Sequence, residues 1–325
     1  MTPHKENPMK TDIYIISGFL GAGKTTLIDR LLREVFDPRE TVVIENDFGE
    51  VSLDTSLIRS GGFAVKELNA GCICCSLTGD FQAAILEVLR EFSPKQILIE
   101  PSGVGKLSDI EIACRSAKIA DMAQIRRKIT VADVVRCRMY LDNFGEFYED
   151  QIRHADVILL SRTEQNPDKV SRAKTLLTAM APKAQLFAGA WKSLDLSALL
   201  GSSAAHAADC HEEGCHHEHS HEHHHHDGEC DHDHSAHEAF DTVTLSLSRT
   251  VTRQELEEAF RAAEADRPGS ILRAKGVVNT PKGPATVQYL PGELNLTPCA
   301  LKPGNLCLIG SNLHEQELKR IFGKE

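Results

Sequence analysis

The sequence predicts an α/β fold built on a mostly parallel sheet, followed by a small C-terminal α+β domain. Three observations carry this expectation. Short apolar segments alternate with helix-patterned stretches from residue 11 to about residue 200. A glycine-rich turn joins the first apolar segment to the first helical one. The apolar pattern then breaks over residues 201–240 and resumes with strands outnumbering helices. The 325 residues suffice for two domains at ~100–200 residues each. A hydrophobic content of 41% beside 26% charged residues is that of a globular protein with a sizeable core.

Taken in order, Asp12 to Ile16 reads as a buried strand and Gly18 to Thr26 as the turn. Leu27, Ile28, Leu31, Leu32 and Val35 then recur at helical spacing. Thr41 to Glu45 is a second strand, Gly79 to Phe92 an amphipathic helix, and Gln96 to Glu100 a third strand ending on a carboxylate. Ile129 to Ala132, Val157 to Leu160 and Gln185 to Ala188 complete the set. Residues 1–10 are expected to be disordered, 11–200 to form the first domain, and 201–240 to be a flexible linker. Within 241–325, Asp241 to Leu247, Ile271 to Val278, Ala285 to Leu290 and Leu306 to Ile309 read as strands. Thr252 and Glu255 form a capping box opening a helix, and His314 to Phe322 closes the chain.

A net charge of −11 gives no field that would attract nucleic acid or an anionic membrane. The short Arg126-Arg127-Lys128 cluster is expected to be a solvated turn. The polar N-terminus lacks the pattern of a signal peptide, and no apolar run approaches the ~18 residues of a membrane span. The expected location is cytoplasmic, where thiols stay reduced. Ten cysteines there point to metal or redox chemistry.

Gly18 to Thr25 matches the phosphate-binding loop pattern, Gly, four residues, Gly-Lys-Ser/Thr. Gly18, Gly21, Ala22, Gly23, Lys24, Thr25 and Thr26 would cradle phosphates with backbone N–H groups at a helix start. Lys24 would reach the β- and γ-phosphates and the Thr25 hydroxyl would bind Mg2+. A chance glycine turn is the rival, and the strand before and helix after it count against that. Glu100 at a strand tip suits the orientation of Mg2+ or its waters, and Gly103 can offer an N–H to the γ-phosphate. After Val157 to Leu160, Ser161-Arg162-Thr163-Glu164 stands where Asn-Lys-x-Asp would read guanine. Glu164 keeps the carboxylate and Arg162 could lie over the base, so GTP is favoured over ATP.

Cys72, Cys74 and Cys75 place three soft thiols on one short segment. Such ligands suit zinc or copper(I); redox chemistry and buried structural cysteines are the alternatives. Glu45 and Glu50 bracket an acidic segment after the second strand, at the position of a nucleotide-ordered switch. Residues 201–238 hold thirteen of the 16 histidines with Cys210, Cys215 and Cys230, a composition for weak divalent-ion binding or a solvated spacer.

The phosphate loop, Glu45-Asn46-Asp47-Phe48-Gly49-Glu50-Val51, Gly71-Cys72-Ile73-Cys74-Cys75 and Glu100-x-x-Gly103 occur in that order. Together they closely resemble the CobW-like P-loop GTPases, metallochaperones that include nitrile hydratase activator-like proteins and are related to nickel-handling accessory GTPases. Leu272-Arg273-Ala274-Lys275-Gly276 is similar to that family's second domain. The resemblance implies a P-loop NTPase fold and GTP hydrolysis to GDP with Mg2+. It couples this to transfer of Zn2+ or another divalent transition metal into a client metalloprotein. The phosphate-site reading gives Lys24, Thr25 and Glu100 to catalysis; the resemblance assigns Cys72, Cys74 and Cys75 to the metal and aligns Glu45 and Glu50 with switch carboxylates that could join them. A homodimer fits it, while nucleic acid and membrane partners do not. A metal-buffering or storage protein, with nucleotide as allosteric ligand only, is the alternative. Two departures stand out: Ser-Arg-Thr-Glu at 161–164, and Pro-Ser-Gly at 101–103 where a Thr-Gly type turn is usual.

Overall fold

The structure is a computed structural model and describes residues 10–45, 61–67, 77–201, 240–247, 249–265 and 270–323. The first sheet and its helices run in chain order as β1 (Thr11–Ser17), α1 (Lys24–Glu34), β2 (Thr41–Glu45), β3 (Ala64–Glu67), α2 (Leu77–Phe92) and β4 (Gln96–Glu100). They continue as α3 (Leu107–Cys114), α4 (Ala117–Ala120), β5 (Ala123–Asp133), α5 (Cys137–Arg153), β6 (Val157–Ser161), α6 (Pro167–Met180), β7 (Gln185–Phe187) and α7 (Leu196–Leu200). The strands pair in the order β3-β2-β4-β1-β5-β6-β7, every adjacent pair parallel.

The sequence of β1 explains its central place. Ile13 and Ile15 face one core, packed by α2 to α6, while Tyr14 and Ile16 face the other, packed by α1 and α7. A strand apolar on both faces must be covered on both, and a parallel sheet between helices provides that. The carboxyl ends of these strands, where open α/β sheets bind ligands, carry Ser17, Glu45, Glu100, Asp133 and Ser161.

The second unit comprises β8 (Asp241–Ser246), α8 (Arg253–Ala265), β9 (Ser270–Thr280), β10 (Gly283–Leu290), β11 (Glu293–Pro298), β12 (Asn305–Ser311) and α9 (Glu315–Phe322). Its antiparallel sheet has the order β11-β10-β9-β12-β8. Leu306 and Leu308 face α8 and α9, alongside a stacked Phe260–Tyr289 pair with centroids 3.7 Å apart. The alternate residues Cys307 and Ile309 turn the other way and, with Phe240 and Leu272, join the core of the first sheet. The capping box is present: Thr252 N–H donates to Glu255 at 2.6 Å, and Glu255 N–H to the Thr252 hydroxyl at 3.2 Å.

One expectation requires correction. Arg126-Arg127-Lys128 is no solvated turn but part of β5, beside β1. Lys128 is buried there because Glu111 accepts its ammonium at 2.7 Å, so a tertiary partner neutralises a charge that looked like a surface signal. Strands β3 and β11 are additional to those expected. No helix among the described residues is long and apolar enough to cross a membrane.

Candidate active site

The turn after β1 is shaped by its glycines. Gly18 has φ of +142°, and a Cβ on it would lie 2.4 Å from the Val131 carbonyl oxygen, so no larger residue fits. Phe19 anchors the turn in an aromatic cluster, with ring centroids 4.4 Å from Tyr140 and 5.5 Å from Phe144. The buried Tyr140 hydroxyl donates to the Leu20 carbonyl at 3.1 Å. Burial pushes its pKa up, so it remains a donor. α1 follows with no acidic residue in its first turn, leaving the positive helix end open to an anion.

At this turn the structure brings together the first group of expected residues. Buried Lys24 donates from Nζ to the Gly18 carbonyl at 3.0 Å and lies 4.0 Å from Glu100 Oε1. The Thr25 hydroxyl donates to the same carboxylate at 3.3 Å. A hydroxyl and a carboxylate together form a hard oxygen donor set that fits Mg2+. Gly103 approaches so closely that a Cβ would lie 2.8 Å from Leu20 Cδ2 and 3.1 Å from Lys24 Nζ. Fully buried Gln151 holds this approach, its amide donating to the carbonyls of Gly103 at 3.2 Å and Gly105 at 2.8 Å. Glu45 is buried on β2 and in backbone register with Glu100 on β4 and Glu67 on β3, so three glutamate positions end neighbouring strands.

A cleft of about 700 Å3 opens from Gly21, Ala22, Gly23, Lys24, Thr25 and Thr26 toward Ser161, Arg162 and Glu164. Trp191 lines it, with a ring carbon 3.4 Å from the place a Gly23 Cβ would take. Its indole N–H donates to the Leu160 carbonyl at 2.7 Å. The opposite wall comes from the antiparallel sheet, through Arg273, Gln288, Leu290, Glu293 and Asn295. Leu290 sits over Gly21, where its Cδ1 would meet a Cβ at 2.4 Å.

Four charges tie the two walls. Asp133, only 1% exposed, binds Arg136 at 2.7 Å and Arg162 Nε at 3.1 Å. Glu293 accepts from Arg136 at 3.1 Å and from Arg162 at 2.9 Å. Burial would raise the Glu293 carboxyl, but the Arg136 hydrogen bond and the Arg162 charge outweigh it and hold the group below the usual range. Arg162 has φ of +60°, and its carbonyl accepts from Asn166 at 3.1 Å.

Glu50, Cys72, Cys74, Cys75 and the histidine tract lie outside the described residues. Among the described residues no group of three or more His, Cys, Asp or Glu side chains could hold a metal ion. Cys114 and Cys137 are core residues; burial pushes the Cys114 thiol to about 12 and raises Cys137, which disfavours the thiolate form a metal needs. Sequence reasoning missed Asp133, Gln151, Trp191 and Glu293. Asp133 had a signal, since it ends a strand as Glu100 does.

A phosphate loop at the tip of a central parallel strand, with a buried lysine and a strand-end carboxylate beside it, defines a P-loop nucleotide-binding protein. The chain belongs to the CobW/HypB/UreG family: the model of that nucleotide-binding domain matches residues 12–188, and that of the cobalamin synthesis protein CobW C-terminal domain matches residues 240–324. It is similar to the zinc chaperone CobW of Sinorhizobium sp, at 28% identity over 87% of this chain and 86% of that protein. It is also similar to the zinc chaperone YeiR of Escherichia coli, at 32% identity over 49% of this chain and 48% of that protein. A third relative is the zinc-regulated GTPase metalloprotein activator 1 of Dictyostelium discoideum, at 26% identity over 54% of this chain and 45% of that protein. The last two matches span about half of each protein.

Proposed function

We propose that the chain hydrolyses GTP and uses the nucleotide state to control transfer of a divalent transition metal, zinc by preference, to a client metalloprotein in the cytoplasm. The observation that carries this reading is the convergence of Lys24, Thr25, Glu100 and Gly103 on one loop at the mouth of the cleft. Lys24 supplies a desolvated positive charge for the β- and γ-phosphates. Its present contact with the Gly18 carbonyl is one a phosphate oxygen would replace. Thr25 and Glu100 would hold Mg2+, which supplies charge neutralisation on the transferred phosphoryl group. The Gly103 N–H is the donor for the γ-phosphate, and Gln151 fixes its loop. At the other end of the cleft Glu164 is the acceptor for guanine and Arg162 its cover.

The coupling to metal rests on the sheet edge. Glu45, Glu67 and Glu100 lie side by side, and the segments bearing Glu50 and Cys72, Cys74 and Cys75 follow Glu45 and Glu67 in sequence. We assign these thiols, with Glu45 and Glu50, as ligands of the transferred metal. The names of the relatives make zinc the first choice. The division into residues 11–200, 201–240 and 241–325 belongs to the same proposal, supported by the two separate sheets.

The test is multiple-turnover phosphate release from GTP. Lys24→Ala should lower kcat/KM at least about a hundredfold while metal uptake by the histidine tract is unchanged. Equal turnover by this variant would end the enzymatic assignment. Zinc affinities that do not change between the empty, GDP and GTP forms would end the coupling.

A further inference from the structure

Specific recognition of a base needs a rigid frame, and the side chain expected to cover the base in this cleft is a long, flexible arginine. Arg162 does not float. Its Nε meets the buried Asp133 at 3.1 Å, and its terminal nitrogen donates to Glu293 at 2.9 Å. Both bonds lie in the plane of the guanidinium, so neither engages its flat faces. Asp133 belongs to the parallel sheet, but Glu293 opens β11 of the antiparallel one, 131 residues from Arg162 in sequence. Glu293 is itself fixed by Arg136 at 3.1 Å and by Asn295 at 3.2 Å. Its neighbour across the hairpin, Leu290, sits on Gly21 of the phosphate loop. The second sheet therefore touches the cleft at both ends.

We propose that Glu293 is a positioning residue of the nucleotide site, holding the Arg162 guanidinium edge-on so that its flat face is presented to the nucleobase. The inference rests on the nucleotide reading above and adds to it a contribution from the second domain. The alternative is that Glu293 serves only to fasten the two domains together. The two differ in what they do to the ends of the cleft. A fastener acts on the whole ligand, whereas a residue acting through Arg162 is felt by the base and not by the phosphates.

Calorimetric titration of the full-length chain, in the presence of magnesium, with GDP and separately with pyrophosphate tells them apart. In Glu293→Gln the Kd for GDP should rise about tenfold, the weight of one charge-assisted hydrogen bond, and the Kd for pyrophosphate should not move. Added to Arg162→Gln, the same change should alter the GDP affinity by less than about twofold, because its effect passes through the side chain already removed. Equal GDP binding by Glu293→Gln and wild type would overturn the proposal. So would a parallel weakening of GDP and pyrophosphate, or full additivity in the double variant. A wild-type chain that binds neither GDP nor pyrophosphate would remove the nucleotide reading itself, and the proposal with it.

Discussion

The two ends of the cleft are built in different ways. The phosphate end is made by one continuous run, β1, turn and α1, in which backbone groups do most of the work and glycines permit the bend. The base end is made by side chains drawn from three distant segments: Asp133 and Arg136, Arg162, and Glu293. A site of the first kind has its bend specified by local chemistry, with Tyr140 and Leu290 packing on it from elsewhere in the chain. A site of the second kind is completed only when the second sheet brings Glu293 to Arg136 and Arg162.

The comparison would break first at Phe240. This side chain packs on Phe147 and Phe144, with centroids 5.0 and 5.5 Å away, and reaches Phe19 of the phosphate loop at 6.2 Å. Phe240→Ala should destabilise the protein by about 3–5 kcal/mol in urea unfolding. If its unfolding midpoint matched wild type, the packing of Phe240 would add nothing to the stability of the aromatic cluster behind the phosphate loop.

A smaller effect sharpens the distinction within the phosphate end. Gln151→Leu leaves the carbonyls of Gly103 and Gly105 without their buried donor, at a cost of about 1–3 kcal/mol. Because this loop is the one proposed to meet the γ-phosphate and not the base, GTP turnover should fall while GDP affinity holds. A parallel loss of both would place Gln151 in general support of the fold.

The smallest effect concerns pH. Glu293 titrates below the usual carboxylate range in the folded protein, so its stabilising contribution is present above the unfolded value of ~4.3 and is lost as pH falls through the folded value. The stability difference between wild type and Glu293→Gln should be constant from pH 7 to 5 and shrink only below ~4. Its size should be about 1 kcal/mol or less, since the carboxylate is a third exposed and screened by solvent. A difference that shrank already between pH 7 and 6 would point to a different titrating group.

These two kinds of construction also explain what could be read from sequence. The phosphate turn was legible because its glycines, lysine and threonine act within eight consecutive residues, and the structure places Glu100 and Gly103 against them. Strand β1 was legible because its four central residues, Ile13 to Ile16, are apolar. Strand β11 went unread although Pro291-Gly292 is a two-residue hairpin turn, with Gly292 at φ of +76°, and Leu294 and Leu296 alternate with polar neighbours. The role of Glu293 was not legible at all. No local rule says that a carboxylate will meet two arginines more than 130 residues earlier. The basic cluster at 126–128 misled for the same reason, since the burial of Lys128 depends on Glu111 in a helix packed beside it.

Trp191 is the sole tryptophan of the chain, and it stands against the phosphate loop inside the cleft. Its light emission therefore arises from a single place, and a purine arriving there would alter the polarity and quenching around that ring. On the proposed reading that ring is an intrinsic optical probe of occupancy, usable without dye or label, at the junction between the phosphate loop and the segment proposed to read the base.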